Sequence, residues 1–284
     1  IKLITLCFLY LEKHHNRNQE GNYRENNAYR RYFISTAIDQ MFAGGDLEKD
    51  NGGGAFERAR LNYFGRVAYN YQEKYLAEFL WRYDGSYIFP ENTRYGFFPG
   101  IMLGWVVSEE DFWKNNVTAM DFLKVRGSWG QMGNDQIFFE NNLQEYQFLS
   151  TYGFRSYIVD GVETKTMFET RVPNNAITWE VANNANIGLE GQFLQGKIFF
   201  EVDVFYNKRT NILWRKNASV PQTTGLSALL PAENIGEVAN KGYDFNVGYR
   251  GQAGDFQYSV SVNGGYAKNE ILFWDEAPGA PEWQ

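Results

Sequence analysis

The sequence predicts an all-β protein, an antiparallel transmembrane β-barrel that is present only in part. Three observations predict it. Apolar and aromatic residues alternate with polar ones at period two along most of the chain. Many of the alternating runs reach about ten residues, enough to cross a bilayer at a tilt, whereas globular strands average about five or six. The connections between runs alternate in length, as in barrels with short turns on one side of the membrane and long loops on the other.

The elements follow in order. A less regular apolar run covers residues 2–11, and a long polar connection spans 12–59. Tyr63, Val67, Tyr69 and Tyr71 then share one side of a strand, with Arg66 and Asn70 on the other. After the short turn 72–74, Tyr75, Ala77, Phe79, Trp81 and Tyr83 oppose Leu76, Glu78, Leu80, Arg82 and Asp84. Phe97, Ile101, Leu103, Trp105 and Val107 form the next apolar face. A connection of helical character over 108–121 leads to Leu123, Val125 and Trp129, which oppose Lys124, Arg126 and Ser128. A long loop, 131–177, precedes Trp179, Val181, Ala185, Ile187 and Leu189, which oppose Glu180, Asn184, Asn186 and Glu190. The turn 191–196 is short, and Ile198, Phe200, Val202, Val204 and Tyr206 oppose Glu201, Asp203 and Asn207. The loop 210–235 is long and the turn 251–255 short. On either side of that turn lie the strands of Tyr243 to Tyr249 and of Phe256 to Tyr266. Together these make about nine strands, an odd number where bacterial single-chain barrels are even. The end, DEAPGAPEWQ, is loop-like, so the expectation is a piece of a larger barrel.

Composition fits this reading. Aromatics reach 18 % and cluster near strand ends, at Tyr71, Tyr75, Tyr83, Tyr95, Tyr206, Tyr249 and Phe256, where interfacial girdles belong. The aromatic side would face lipid and the charged side a wet lumen. A net charge of −7 without a basic block argues against nucleic-acid binding. The single Cys7 forms no internal disulfide. No apolar run is long enough for a membrane-spanning helix.

The blocks YFGRVAYNYQEKYLAEFLWRYDGS, RYGFFPGIMLGWVVSEEDF, LKVRGSWGQMGND, ITWEVANNANIGLE and NIGEVANKGYDFNV resemble the successive signatures of the SusC/RagA family. These are TonB-dependent outer-membrane transporters of Bacteroidetes, and the likeness is to their C-terminal barrel portion, over roughly residues 60–275. The resemblance implies a roughly 22-strand barrel with a plugged lumen. It also implies a SusD-like surface lipoprotein as a lid, TonB as the energy source, and an oligosaccharide or peptide as cargo. By the same resemblance, the plug, the TonB-contacting segment and the remaining strands are not in this chain.

Candidate residues carry two readings each. Arg82, Asp84, Gly85 and Ser86 stand where a strand meets an outer loop. They read as a lumen ion network plus a turn in which Gly85 supplies an unusual φ and Asp84 or Ser86 caps backbone donors. In the loop 131–177, Tyr152, Phe154, Arg155 and Tyr157 suit cargo contact, because aromatic rings take sugar C–H faces and charged forks take hydroxyls. Trp214 in the next long loop has the same status. Asp46, Glu48, Asp50 and Glu57 have the spacing of a calcium loop, but Asn51 stands where an EF-hand needs Gly, and a solvated glycine-rich loop fits better. The adjacent His14 and His15 would point to opposite faces of a strand and make a poor metal pair. Glu109, Glu110 and Asp111 read as a helix N-terminal cap rather than glycosidase carboxylates. No enzyme is expected. A soluble or surface glycan-binding β-sandwich is the alternative, and it would bury its apolar faces.

Overall fold

A computed structural model describes residues 21–30, 50–117, 119–139, 142–216, 218–225 and 229–275. The chain divides into two compact units, residues 16–61 and residues 62–284 with 1–15. In chain order the strands are β1 (Gly21–Tyr29), β2 (Asp50–Arg58), β3 (Arg60–Tyr71), β4 (Tyr75–Ser86), β5 (Tyr95–Val106), β6 (Met120–Asn134), β7 (Phe138–Phe139), β8 (Asn142–Leu143), β9 (Thr151–Val159), β10 (Val162–Arg171), β11 (Glu180–Phe193), β12 (Ile198–Arg215), β13 (Ala232–Ala253) and β14 (Phe256–Phe273). One short helix, α1 (Asp111–Asn116), lies between β5 and β6.

The smaller unit holds an antiparallel hairpin. β1 pairs with β2 without a slip, from Gly21 opposite Arg58 to Tyr29 opposite Asp50. The expected long connection 12–59 therefore contains two strands. Their sequences, GNYRENNAY and DNGGGAFER, lack apolar alternation, and the ladder forms through backbone groups that every residue carries. The expected run at residues 2–11, with Cys7, and His14 and His15 lie outside the described residues.

The larger unit is built on an eight-stranded sheet in the order β14-β13-β12-β11-β6-β5-β4-β3. These are the eight expected strands from Tyr63 onward. They run longer than the apolar pattern alone marks, up to 22 residues in β13. The end strands β14 and β3 are not hydrogen-bonded to each other, so the sheet is an open piece of a barrel wall.

Register makes the two faces chemically distinct. One row across the sheet reads Leu103–Gly127–Ile187–Val204–Tyr243–Tyr266. The row beside it, on the opposite face, reads Gly104–Arg126–Gly188–Asp203–Asp244–Gly265. The apolar face is open: Ile187 is 68 % exposed, Val204 58 % and Val262 65 %. A sandwich would pack a second sheet about 10 Å away on that face. The exposure therefore counts against the soluble alternative and fits a wall whose outer solvent is lipid.

Turns and loops segregate to opposite ends. Residues 72–74, 194–197 and 254–255, with the α1 connection, join strands at one end. Residues 87–94, 135–179 and 216–231 join them at the other. The buried apolar cluster of the described residues sits at the loop end, around Ile88, Phe89, Phe98, Ile137, Ile177, Trp179 and Leu213. The sheet itself has no such core, as expected of a wall one layer thick.

Candidate functional site

Two places on the larger unit gather polar chemistry: the polar face of the sheet and the folded loop block above it. On the polar face, Glu190 lies directly opposite Glu201, and Asp203 opposite Asp244. Like charges so placed repel. Arg126 offsets this by reaching three carboxylates, Glu190 at 2.9 Å and Glu201 and Asp203 at 2.6 Å each. Lys124 adds a longer contact to Glu190 at 3.5 Å. Gly188 makes the arrangement possible, because a Cβ there would collide with the Arg126 and Asp203 side chains. Arg66 on β3 and Glu78 on β4 pair at 2.6 Å on the same face. Nothing in one strand's sequence shows that a single arginine serves carboxylates from two others. The alternation does show that all of them share a face.

The Arg82 to Ser86 segment runs from this wall into the loop block. Arg82 grips Asp84 through two contacts, at 3.0 and 3.3 Å. The Ser86 hydroxyl donates to Asp135 at 2.6 Å and accepts from the Ile88 N–H at 3.3 Å. Gly85 differs from expectation: it does not have positive φ. It is glycine because the ring of its register partner Tyr95 lies over it, where a Cβ would clash. That ring also stacks on Tyr83, with centroids 5.1 Å apart.

Above the wall, the loops fold onto one another. Trp179 packs against Phe89 and Phe98 at 5.2 and 5.4 Å and donates its indole N–H to the Arg94 carbonyl at 3.1 Å. The buried Glu180 carboxylate accepts from Asn134 at 2.8 Å and from the Leu213 N–H at 3.0 Å. The buried Gln147 receives the Ala232 N–H at 3.2 Å, and Asn234 bonds both the N–H and the carbonyl of Thr178. A buried donor left unmet costs about 1–3 kcal/mol, so these side chains fix two connections and the loop-side ends of β6, β12 and β13 into one block.

The proposed cargo residues lie on a hairpin, not a plain loop. β9 and β10 pair antiparallel from Val159 opposite Val162 to Tyr152 opposite Glu169. The two-residue turn is Asp160-Gly161, with φ of +49° and +80°. An Asp-Gly dipeptide between β-rich runs is the sequence signal that finds such a hairpin. The hairpin separates the four residues: Tyr152 and Phe154 share one face, Arg155 and Tyr157 the other. Arg155 lies over the rings of Tyr157 and Phe168, at 4.7 and 4.5 Å, so Phe168 joins that face. Phe154 is 76 % exposed beside Met167. Trp214 is on a different strand, β12, and packs on Trp274 at 4.6 Å.

At the turn end, Glu110 holds the N-terminal position of α1, yet its side chain makes no cap hydrogen bond. It accepts instead from Tyr75 at 2.6 Å, Trp105 at 3.1 Å and Lys74 at 3.1 Å. These bonds, Tyr75 first, hold its carboxyl below the usual range. The expected cap is thus a clip that fastens the α1 connection to the β3–β4 turn.

Of the four carboxylates with calcium-loop spacing, two lie among the described residues. Asp50 and Glu57 occupy opposite ends of β2, about 23 Å apart along an extended strand. Asp46 and Glu48 lie outside the described residues. Among the described residues no group of three or more His, Cys, Asp or Glu side chains converges on a point where an ion would sit.

Comparison with known proteins bears on the wall and loops together. The sequence profile described as TonB dependent receptor-like, beta-barrel matches residues 8–284. The TonB-dependent receptor P26 of Formosa agariphila is 31 % identical over 212 residues, which cover 74 % of this chain and 20 % of that protein. The TonB-dependent receptor SusC of Bacteroides thetaiotaomicron is 31 % identical over 215 residues, again 74 % and 20 %. Among solved structures, the RagAB peptide importer in its open-open state superposes with a TM-score of 0.66 at 19 % identity, covering 89 % of this chain and 27 % of that one. The chain thus spans about a fifth of the length of these curated relatives.

Proposed function

The chain belongs to the TonB dependent receptor-like β-barrel family, and from that premise we propose that it is part of an outer-membrane transporter that imports oligosaccharides or peptides. The observation that carries this reading is the two-faced sheet. Its apolar face is open and its polar face is ion-paired, with no second layer on either among the described residues. In hydrocarbon a strand survives only with its backbone bonds closed within a barrel, and this wall supplies eight such strands. The polar face then lines the lumen, and the folded loop block forms a rigid part of the rim where cargo arrives.

The other parts of the machine belong to the same proposal. A SusD-like surface lipoprotein closes over the loops, and TonB supplies energy through sequence outside residues 1–284. The β9–β10 hairpin is the cargo contact in this chain. Its Arg155, Tyr157 and Phe168 form one aromatic and charged face suited to sugar rings or peptide side chains. Trp214 stands as a second contact.

Uptake by cells tests it. The native protein should fractionate with the outer membrane together with a lipoprotein partner. Tyr157→Ala should lower uptake of the cognate oligosaccharide or peptide by about tenfold, in line with one lost stacking contact in a binding site. Phe154→Ala, on the other hairpin face, should lower it less. Unchanged uptake in both variants would remove the hairpin from the cargo path. Recovery of the native protein in a detergent-free soluble fraction would end the transporter reading.

A further inference from the structure

We propose that the outward wall carries a binding site for an anionic membrane phospholipid, one whose headgroup has no cation of its own to offset the phosphate charge. One acyl chain lies in a groove over Gly127, and the headgroup sits between Lys241 and Lys268. The proposal rests on the barrel reading above, because it needs the apolar face to meet lipid.

The groove is a space of about 490 Å³ on the apolar face. Leu103, Trp129, Ile187 and Tyr206 wall it, and Gly127 and Ala185 form its floor. Register explains the hollow. Gly127 stands between Leu103 and Ile187 in one row, and Ala185 between Trp129 and Tyr206 in the next. Two small residues at diagonal positions leave a trough among large neighbours.

Gly127 differs from other glycines on this face. Trp81 covers Gly65, Phe200 covers Gly191 and Phe245 covers Gly264, so each of those glycines makes room for a ring of the protein. At Gly127 a Cβ would find only the Asn186 carbonyl oxygen, at 3.9 Å. The protein clears this space and does not fill it. On a lipid-facing wall the matching occupant is a flexible acyl chain, held by packing contacts rather than by the hydrophobic effect.

Packing alone selects no particular lipid, and the charges at the loop-side mouth of the groove supply the selection. Tyr206 is the register partner of Lys241, and Lys241 is the partner of Lys268. Both lysines are exposed, on the same outward face, where the apolar rows end. Directly opposed like charges repel. Lys241 reaches Glu270 at 3.5 Å, and Lys268 makes no ion pair among the described residues. A phosphate between them would offset the repulsion and accept charge-assisted hydrogen bonds from both. Basic residues at a membrane boundary attract anionic headgroups in this way.

The test uses the native protein, reconstituted with equal amounts of phosphatidylglycerol and phosphatidylcholine and then analysed intact by native mass spectrometry. Phosphatidylglycerol should be retained over phosphatidylcholine by about tenfold or more, given two lysines at the boundary. Changing Lys241→Gln and Lys268→Gln together should bring the two lipids to parity. Gly127→Leu, which meets open space, should reduce phosphatidylglycerol retention while membrane insertion stays intact. Equal retention by the native protein overturns the proposal, and so does a preference that survives both the lysine pair and Gly127→Leu. Failure of the protein to enter membranes would instead defeat the barrel reading.

Discussion

At the scale of single residues, side chains here are chosen for the partner they meet across a strand. Gly85 is small because Tyr95 lies over it, not because its backbone is unusual. Arg126 is long and forked enough to serve Glu190, Glu201 and Asp203 at once. Glu110 shows the same logic at the turn end, and its chemistry gives a pH prediction. Hydrogen bonds from Tyr75, Trp105 and Lys74 lower its pKa below the ordinary 4.5. A depressed carboxylate contributes its stability above the unfolded pKa and loses it as pH falls through the lower, folded value. The clip should therefore hold at neutral pH and release in acid below about pH 4.5. Tryptophan fluorescence followed from pH 7 to pH 3 should show a step near Trp105 that Glu110→Gln removes. A step of the same size in the variant would assign the transition to another group.

At the scale of elements, the alternation of each strand decides which side meets which solvent. Neighbouring residues of β11 give a direct comparison. Ile187 faces outward, with Gly127 and Val204 as register partners. Asn186 faces the polar side, with Ser128 and Phe205. An arginine on the lipid face near the middle of the bilayer costs about 2–4 kcal/mol, whereas the lumen side tolerates it. Ile187→Arg should therefore lower the denaturant midpoint of the refolded barrel in detergent or vesicles, and Asn186→Arg should leave it nearly unchanged. In a water-soluble sheet an exposed isoleucine would accept arginine at almost no cost, so a neutral Ile187→Arg would exclude a lipid-facing wall. The connecting elements follow different rules. β1–β2 and β9–β10 are held by their own backbone ladders, and only the second announces itself in sequence, through Asp160-Gly161.

At the scale of the whole molecule, the eight-stranded sheet has two edges, β3 and β14, that do not pair with each other. It also has an apolar face that no other described residues cover. Both features are hazards in water. Residues 1–284 expressed alone should aggregate, or stay dispersed only in detergent. A monomeric, water-soluble product with a cooperative unfolding transition would contradict the architecture. The loop block behaves differently from the wall, since its buried cluster and its polar ties through Ser86, Gln147 and Glu180 resemble the interior of a small soluble protein.

The sequence by itself determined the strands from Tyr63 onward, their two faces, and the segregation of short turns from long loops. These depend on a local period that each strand carries alone: side chains alternate every residue, and one solvent is lipid while the other is wet. Only the tertiary structure decided which side chains meet. Arg126 finds its carboxylates on β11 and β12, and Glu180 ties β6 to β12. Each of these depends on register between segments distant in the chain. Register is set by the joint pairing of the backbone ladders, which no single strand's pattern contains.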